Sequence, residues 1–334
     1  MLKENAGQFR LRLEKLGLSD SVITAAWPTW WSEAADASPS ARAELRYTIA
    51  RKLGLEPQSL IQDSEAPDFV WKETARYKHG SGESDLETWA LTSFGTALGK
   101  ILVQASNRSS LEPGRNALEI RSSILEKRPF VRFVDLISLA WALGVPIVHL
   151  RVFPLMQKRM AAMCVRVPRG TAILLGKDAV YPPQIAYYLA HELGHILLHH
   201  LKDGEVLVDL EPNEKEAGVK DTEESEADQF ALELLTGHRD PSVIPVGIGS
   251  GPRSLAKAAI EASEEVRIEP GTLALSFGHT TGDWRTAIGA LRYIYDSPKP
   301  VWIEVNSIAK NQLSFSELPN ETAVYLSRVL GELE

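Results

Sequence analysis

The chain has 334 residues, of which 44% are hydrophobic, and it carries a net charge of −8 with an isoelectric point near 5.6. This length can hold two domains, and the hydrophobic content is ordinary for a globular protein. The negative charge argues against a protein that coats nucleic acid. Cys164 is the only cysteine, which excludes an intramolecular disulfide. The polar N-terminus and the lack of a membrane-length apolar run predict a cytoplasmic protein without a membrane partner.

The first predicted domain is all-α and covers residues 1–62. Its clearest helix contains Leu45, Ile49 and Leu53 at helical spacing, and Gly54 is suited to end that helix. The segment is therefore predicted to form a small helical domain.

The same segment resembles the helix-turn-helix of Xre-type repressors in two short motifs, L-G-L-S at 16–19 and A-R-K-L-G-L at 50–55. A recognition helix needs polar side chains that read base edges. Tryptophans occupy that part of this chain instead: Trp27, Trp30 and Trp31. DNA binding is therefore possible but not favoured, and the tryptophans predict core packing or a protein contact.

Residues 63–114 are predicted to contain a linker and then a helix. Pro67 and the run H-G-S-G-E-S-D at 79–85 interrupt regular structure. The apolar sequence at 86–105 predicts the helix, in which Gly95 and Gly99 permit close packing against another element.

Residues 115–296 are predicted to form a second domain, of the α+β class. Its first helix covers 132–143, and the apolar runs that follow predict three strands, at 147–153, 163–167 and 171–175. An apolar helix at 187–200 comes next. The strand at 171–175 is predicted to lie at an open sheet edge, where an extended peptide could be added as a further strand.

The helix at 187–200 contains H-E-x-x-H. Residues four apart on a helix lie about 40° apart around its axis, so His191 and His195 can bind one metal ion. Glu192 lies about 100° from His191 and is a candidate general base. Zn²⁺ suits imidazole ligands and lowers the pKa of a bound water to about 7. A packed and hydrogen-bonded histidine pair is the alternative, but Gly194 in the helix interior favours a site that needs a close backbone approach.

A catalytic zinc site usually has three protein ligands. The metzincin continuation is absent, because Leu198 and Leu201 replace its glycine and third histidine. A helix predicted at 222–235 offers Glu226, which borders the apolar stripe and is predicted to face inward as the third ligand. The other glutamates of this helix are predicted to form a solvated face: Glu223, Glu224 and Glu233.

Three motifs together resemble the ImmA/IrrE-type metallopeptidases, gluzincin-like zinc enzymes often encoded with a transcriptional repressor: I-L-L at 173–175, A-H-E-L-G-H-I-L-L-H at 190–199 and E-A-D-Q-F-A-L-E-L-L at 226–235. The resemblance implies a zincin-like fold, with Glu192 as the base and with three zinc ligands, His191, His195 and Glu226. Asp228 replaces the usual asparagine of the last motif. It is predicted either to orient a ligand imidazole or to lie at the surface.

The remaining sequence is predicted to be mostly helical. The helices are separated by an irregular acidic segment at 203–220 and by a loop at 238–253. His279 is predicted to lie in a loop and is a candidate oxyanion stabiliser. Helices are predicted at 254–266, 270–277 and 283–295. A last region, 297–334, is predicted to hold a strand at 301–305 and a helix that ends at Leu330.

The sequence is compatible with two functions. The first is a zinc-dependent endopeptidase that makes a restricted cut in a partner protein, such as a transcriptional repressor or a toxin–antitoxin partner. The second is a regulatory, antitoxin-like binding protein that acts on DNA or a partner and holds a structural zinc. A structural zinc is normally closed by a fourth protein ligand, for which His199 is a candidate.

Overall fold

The N-terminal part of the protein is helical. The structure, a computed structural model, describes residues 4–61, 67–72, 75–78, 85–106, 116–156, 160–210, 222–239 and 251–331. Its first four helices are α1 (Ala6–Lys15), α2 (Asp20–Ala26), α3 (Pro39–Leu53) and α4 (Pro57–Ile61). Ser19 caps α2 and Gly54, with φ 71°, ends α3, in agreement with the helical pattern of this segment.

A mixed sheet follows. Within the described residues it has five strands: β1 (Ala75–Lys78), β2 (Ile147–His149), β3 (Met160–Val167), β4 (Gly170–Leu175) and β5 (Val206–Leu210). The strand order is β1-β5-β3-β4-β2, with β3 antiparallel to both neighbours and the two outer pairs parallel. The predicted α+β fold class is confirmed. The first predicted strand is shorter than expected, because it ends at His149.

The sheet corrects three predictions. β5 lies in the segment at 203–220 that was predicted to be irregular, and β1 lies in the predicted linker. The rest of that irregular segment, 211–220, lies outside the described residues. β4 is not an open edge, because β2 pairs with it through Ile147 and Ile173 while β3 pairs on its other side. The two outer strands of the sheet are β1 and β2.

The long helix α5 (Asp85–Ala105) crosses one face of the sheet. Gly95 and Gly99 lie against Met163 and Val165 of β3, where a Cβ added to either glycine would clash. The predicted close packing at these two glycines is confirmed. It allows the helix backbone to lie directly on the sheet.

Replacement of Gly99 by valine is expected to lower the free energy of unfolding by about 2 kcal/mol, because it overpacks this contact. A Cβ at residue 99 would lie 2.9 Å from Val165 Cγ1, and a β-branched neighbour has little freedom to move away. Urea denaturation measures the change. The control is Gly7→Val in α1, where the added Cβ finds only Asn5 Oδ1 at 3.5 Å. Equal stability of the two variants would contradict this packing.

Nine further helices lie within the described residues. They are α6 (Ala117–Leu125), α7 (Phe133–Ala142), α8 (Pro183–Leu197), α9 (Thr222–Thr236), α10 (Pro252–Val266), α11 (Pro270–Thr281), α12 (Trp284–Ile294), α13 (Val301–Gln312) and α14 (Asn320–Val329). The predicted strand at 301–305 is wrong, because this segment begins α13. Its buried apolar residues recur every four positions, at Val301, Val305 and Ala309, which is a helical period.

The N-terminal and C-terminal helices share one hydrophobic core with α5 and the sheet. Tyr325 of α14 donates a hydrogen bond to Lys52 O of α3, and Ser19 N donates to Pro154 O at 2.8 Å. Trp27 and Trp31 pack against this core, whereas Trp30 is 40% exposed. None of the described helices is long and apolar enough to cross a membrane.

Candidate metal centre

The helix α8 carries His191, Glu192 and His195 on the buried side of the molecule. Its apolar residues pack against the sheet. Gly194 faces α9, where an added Cβ would lie 3.2 Å from Ala227 Cα, Ala227 O and Phe230 Cδ1. The missing side chain at Gly194 therefore permits the close approach of α8 to α9, as predicted.

Two imidazoles and one carboxylate converge between these helices. His191 Nε2 lies 2.9 Å from His195 Nε2, and the two atoms lie 3.5 and 3.4 Å, respectively, from carboxylate oxygens of Glu224. The histidines are 1% and 2% exposed, and the Glu224 side chain is 15% exposed. Among the described residues these three side chains form the group that can hold a metal ion.

The dimensions of this cluster fit a zinc-type ion. Ligand atoms at about 2.0–2.1 Å from a tetrahedral Zn²⁺ are separated from one another by about 3.3 Å. The two Nε2 atoms lie 2.9 Å apart, and each lies 3.4 or 3.5 Å from a different oxygen of the Glu224 carboxylate, which is close to that value. Two neutral imidazoles and one carboxylate are also a ligand set found in catalytic zinc sites.

Glu226, the predicted third ligand, lies elsewhere. Its Oε2 is 3.1 Å from His200 Nε2, and its side chain is 52% exposed. The difference has a geometric cause. Because Gly194 has no side chain, the face of α9 that contains Ala227 packs closely against α8. Around the axis of α9, Glu224 lies about 60° from Ala227 on one side, and Glu226 lies about 100° from it on the other side. The structure therefore brings Glu224, which was predicted to be solvated, to the histidine pair.

Asp228 contacts the outer nitrogen of one histidine. Its Oδ1 lies 2.9 Å from His191 Nδ1 and also accepts a hydrogen bond from Tyr187 Oη at 2.5 Å. Burial and the negative charge of Asp228 raise the pKa of Tyr187 above its usual value, so the phenol remains a donor. Of the two alternatives for Asp228, the geometry favours orientation of the His191 ring over a surface position.

Glu192 is 1% exposed. Burial raises the pKa of the Cys164 thiol well above its usual value, and the negative charge of Glu192 contributes to the same shift. The helix geometry of H-E-x-x-H directs Glu192 about 100° away from His191. The role of Glu192 as a general base stays a prediction.

The other two candidate histidines are not in the cluster. His279 lies in the last turn of α11, not in a loop, and it is exposed with its ring centroid 6.5 Å from that of Trp284. His199 is exposed just beyond α8 with φ 61°.

Two residues at the site were not predicted from the sequence. They are Glu224 and His200, whose Nδ1 is 3.0 Å from His195 Nδ1. Glu224 and Asp228 are four residues apart, which places both on one face of a helix. That spacing could have indicated that Glu224 faces the histidine pair together with Asp228.

Comparison with known proteins identifies the region that contains this cluster. Residues 144–244, less than a third of the chain, match the family model described as the IrrE N-terminal-like domain of the M78 peptidases. Comparisons with curated proteins and with solved structures find no match. Residues 144–244 are therefore similar to the IrrE N-terminal-like domain, and the resemblance to the ImmA/IrrE-type metallopeptidases predicted from the sequence motifs is confirmed.

Proposed function

We propose that this chain is a zinc-dependent endopeptidase that makes a restricted cut in a partner protein. The observation that carries the proposal is the convergence of His191 Nε2, His195 Nε2 and the Glu224 carboxylate between α8 and α9. These three side chains would hold the ion. When bound, Zn²⁺ would supply Lewis acidity towards a peptide carbonyl and lower the pKa of a water molecule at the site.

The chain's own residues supply the proton transfers. Glu192 takes a proton from the attacking water and delivers it to the leaving amine as the peptide bond breaks. Because Glu192 is 1% exposed, bulk water is kept from its carboxylate. Asp228 Oδ1 lies 2.9 Å from His191 Nδ1 and would keep the Nε2 of this ring directed at a bound ion.

A regulatory protein with a structural zinc is the less favoured alternative. Such a site needs a fourth protein ligand. The side chain considered for this role, His199, is exposed beyond the end of α8, and the cluster formed by the described residues has three members. A three-ligand site leaves a coordination position for water and substrate, which supports the catalytic role.

The partner in this proposal is a protein, such as a transcriptional repressor, and not DNA. Between α2 and α3 the chain forms a short 3₁₀ helix, Glu33–Ala37, which contains two acidic residues. Two basic residues of α3 face inward, since Arg46 and Lys52 are 0% and 4% exposed. Arg46 binds Glu4, and Lys52 donates to Ala26 O. Non-specific affinity for DNA comes from basic side chains that reach phosphates, so this arrangement supports a role of residues 1–62 in protein contact.

The proposal is tested by metal content. Purified wild-type protein is expected to contain about one zinc ion per chain, and His191→Ala is expected to lose it, because the remaining ligands cannot hold the ion tightly. His238→Ala is the matched control, since His238 is exposed at the end of α9. Full zinc occupancy in His191→Ala by elemental analysis would rule out the proposed site.

A further inference from the structure

We infer that His200 and Glu226 are positioning residues that hold the His195 ring through a chain of two hydrogen bonds. The inference rests on the proposed zinc site. His195 Nδ1 lies 3.0 Å from His200 Nδ1, and His200 Nε2 lies 3.1 Å from Glu226 Oε2. The chain runs from the buried cluster to the surface, because the His200 side chain is 6% exposed and that of Glu226 is 52% exposed.

The end of α8 has the backbone geometry that brings His200 back to His195. His199 adopts the left-handed conformation with φ 61°. His199 N then donates to Ile196 O at 3.2 Å, and His200 N donates to His195 O at 2.9 Å. This pair of hydrogen bonds is the Schellman motif, which reverses the chain at a helix end. Arg76 of β1 donates a further hydrogen bond to His200 O and also binds Glu223 of α9.

The ring nitrogens allow one consistent set of protons when His195 Nε2 is directed at a metal ion. A neutral imidazole has one donor and one acceptor nitrogen. His195 Nδ1 must then carry the proton and donate to His200 Nδ1. His200 consequently carries its own proton on Nε2 and donates it to Glu226 Oε2. Each nitrogen of both rings has a defined role in this arrangement.

His191 and His195, whose Nε2 atoms would bind the metal ion, are therefore held in different ways. The outer nitrogen of His191 contacts the Asp228 carboxylate directly at 2.9 Å. The outer nitrogen of His195 reaches the Glu226 carboxylate only through the ring of His200. Outer partners of this kind fix the tautomer and orientation of a ligand, and their removal typically weakens metal binding 10- to 100-fold. Glu226 thus belongs to the site as an outer residue.

The experiment compares the zinc affinities of apo-protein variants by competition with a chromophoric chelator. His200→Leu removes the acceptor for His195 and is expected to weaken zinc binding about 10- to 100-fold. His200→Asn, which keeps an acceptor oxygen near the position of Nδ1, is expected to recover most of that loss. His199→Gly is the matched control, since glycine adopts the same backbone conformation readily, and its affinity is expected to stay within about twofold of wild type.

A second readout separates positioning from a merely structural role. The visible spectrum of the Co²⁺-substituted protein is expected to change in His200→Leu and to return towards that of wild type in His200→Asn. Glu226→Leu, at an exposed position, provides a variant that folds and is expected to weaken zinc binding less than His200→Leu. Wild-type zinc binding with unchanged affinity in His200→Leu would overturn this inference alone. Lack of zinc binding by wild type would overturn the proposed function and this inference with it.

Discussion

Glu192→Gln is expected to keep the zinc and the fold and to lower cleavage of the partner protein by about 10²-fold or more. Glutamine has nearly the same shape as glutamate but cannot accept a proton from water, so the general base is lost. The variant should retain zinc, because Glu192 is not one of the three clustered donors. Co-expression of wild type or variant with a candidate partner, followed by detection of its fragments, measures the effect. If a neighbouring reading frame encodes a small helix-turn-helix repressor, that protein is the first partner to test.

The control for this experiment is Glu261→Gln. Glu261 lies on α10 with an exposed side chain and contacts Lys257, so the same chemical change there should leave cleavage intact. Equal cleavage by wild type and Glu192→Gln would contradict the peptidase mechanism. A partner that remains whole with wild type under inducing and non-inducing conditions would favour the regulatory binding role.

Glu224→Gln is expected to weaken zinc binding by more than about 10²-fold, which exceeds the effect of removing an outer partner. A neutral amide is a poorer ligand than a carboxylate and supplies no charge to balance the ion. The carboxylate of Glu224 is the group that lies 3.4–3.5 Å from both Nε2 atoms. Glu226→Gln retains an acceptor oxygen for His200 and is expected to weaken binding by about tenfold or less.

The histidine pair was predictable from the sequence because it depends on local geometry alone. The spacing of His191 and His195 on one helix places the two rings side by side wherever that helix packs. The α+β class was also predictable, because the apolar residues between 132 and 200 follow a helical pattern in some segments and form short strand-like runs in others. The same reasoning explains why Gly194 could be assigned to a close contact before its neighbour was known.

The third member of the cluster, Glu224, was not predictable in this way. Three glutamates, Glu223, Glu224 and Glu226, lie in the first two turns of α9, and the choice between them depends on how that helix is rotated about its axis. The contact of Gly194 with Ala227 sets the rotation, and it involves residues more than thirty positions apart. His200 was missed for a related reason, since its position depends on the left-handed conformation of His199.

The errors in secondary structure come from short segments. Residues 301–305 alternate as a strand would, and the helical period appears only when Ala309 is included. β1 and β5 are four and five residues long and pair across a sequence separation of about 130 residues. Strands of that length have weak local signals and form because a neighbouring strand supplies hydrogen bonds.

The most direct measurement of the central claim is the zinc affinity of Glu224→Gln and Glu226→Gln, determined side by side with wild type by chelator competition. A metal centre formed by His191, His195 and Glu224 predicts that Glu224→Gln loses more than about 10²-fold in affinity. It also predicts that Glu226→Gln stays within about tenfold of wild type. The reverse order, with strong loss in Glu226→Gln and near wild-type affinity in Glu224→Gln, would contradict the assignment of Glu224 as a metal ligand.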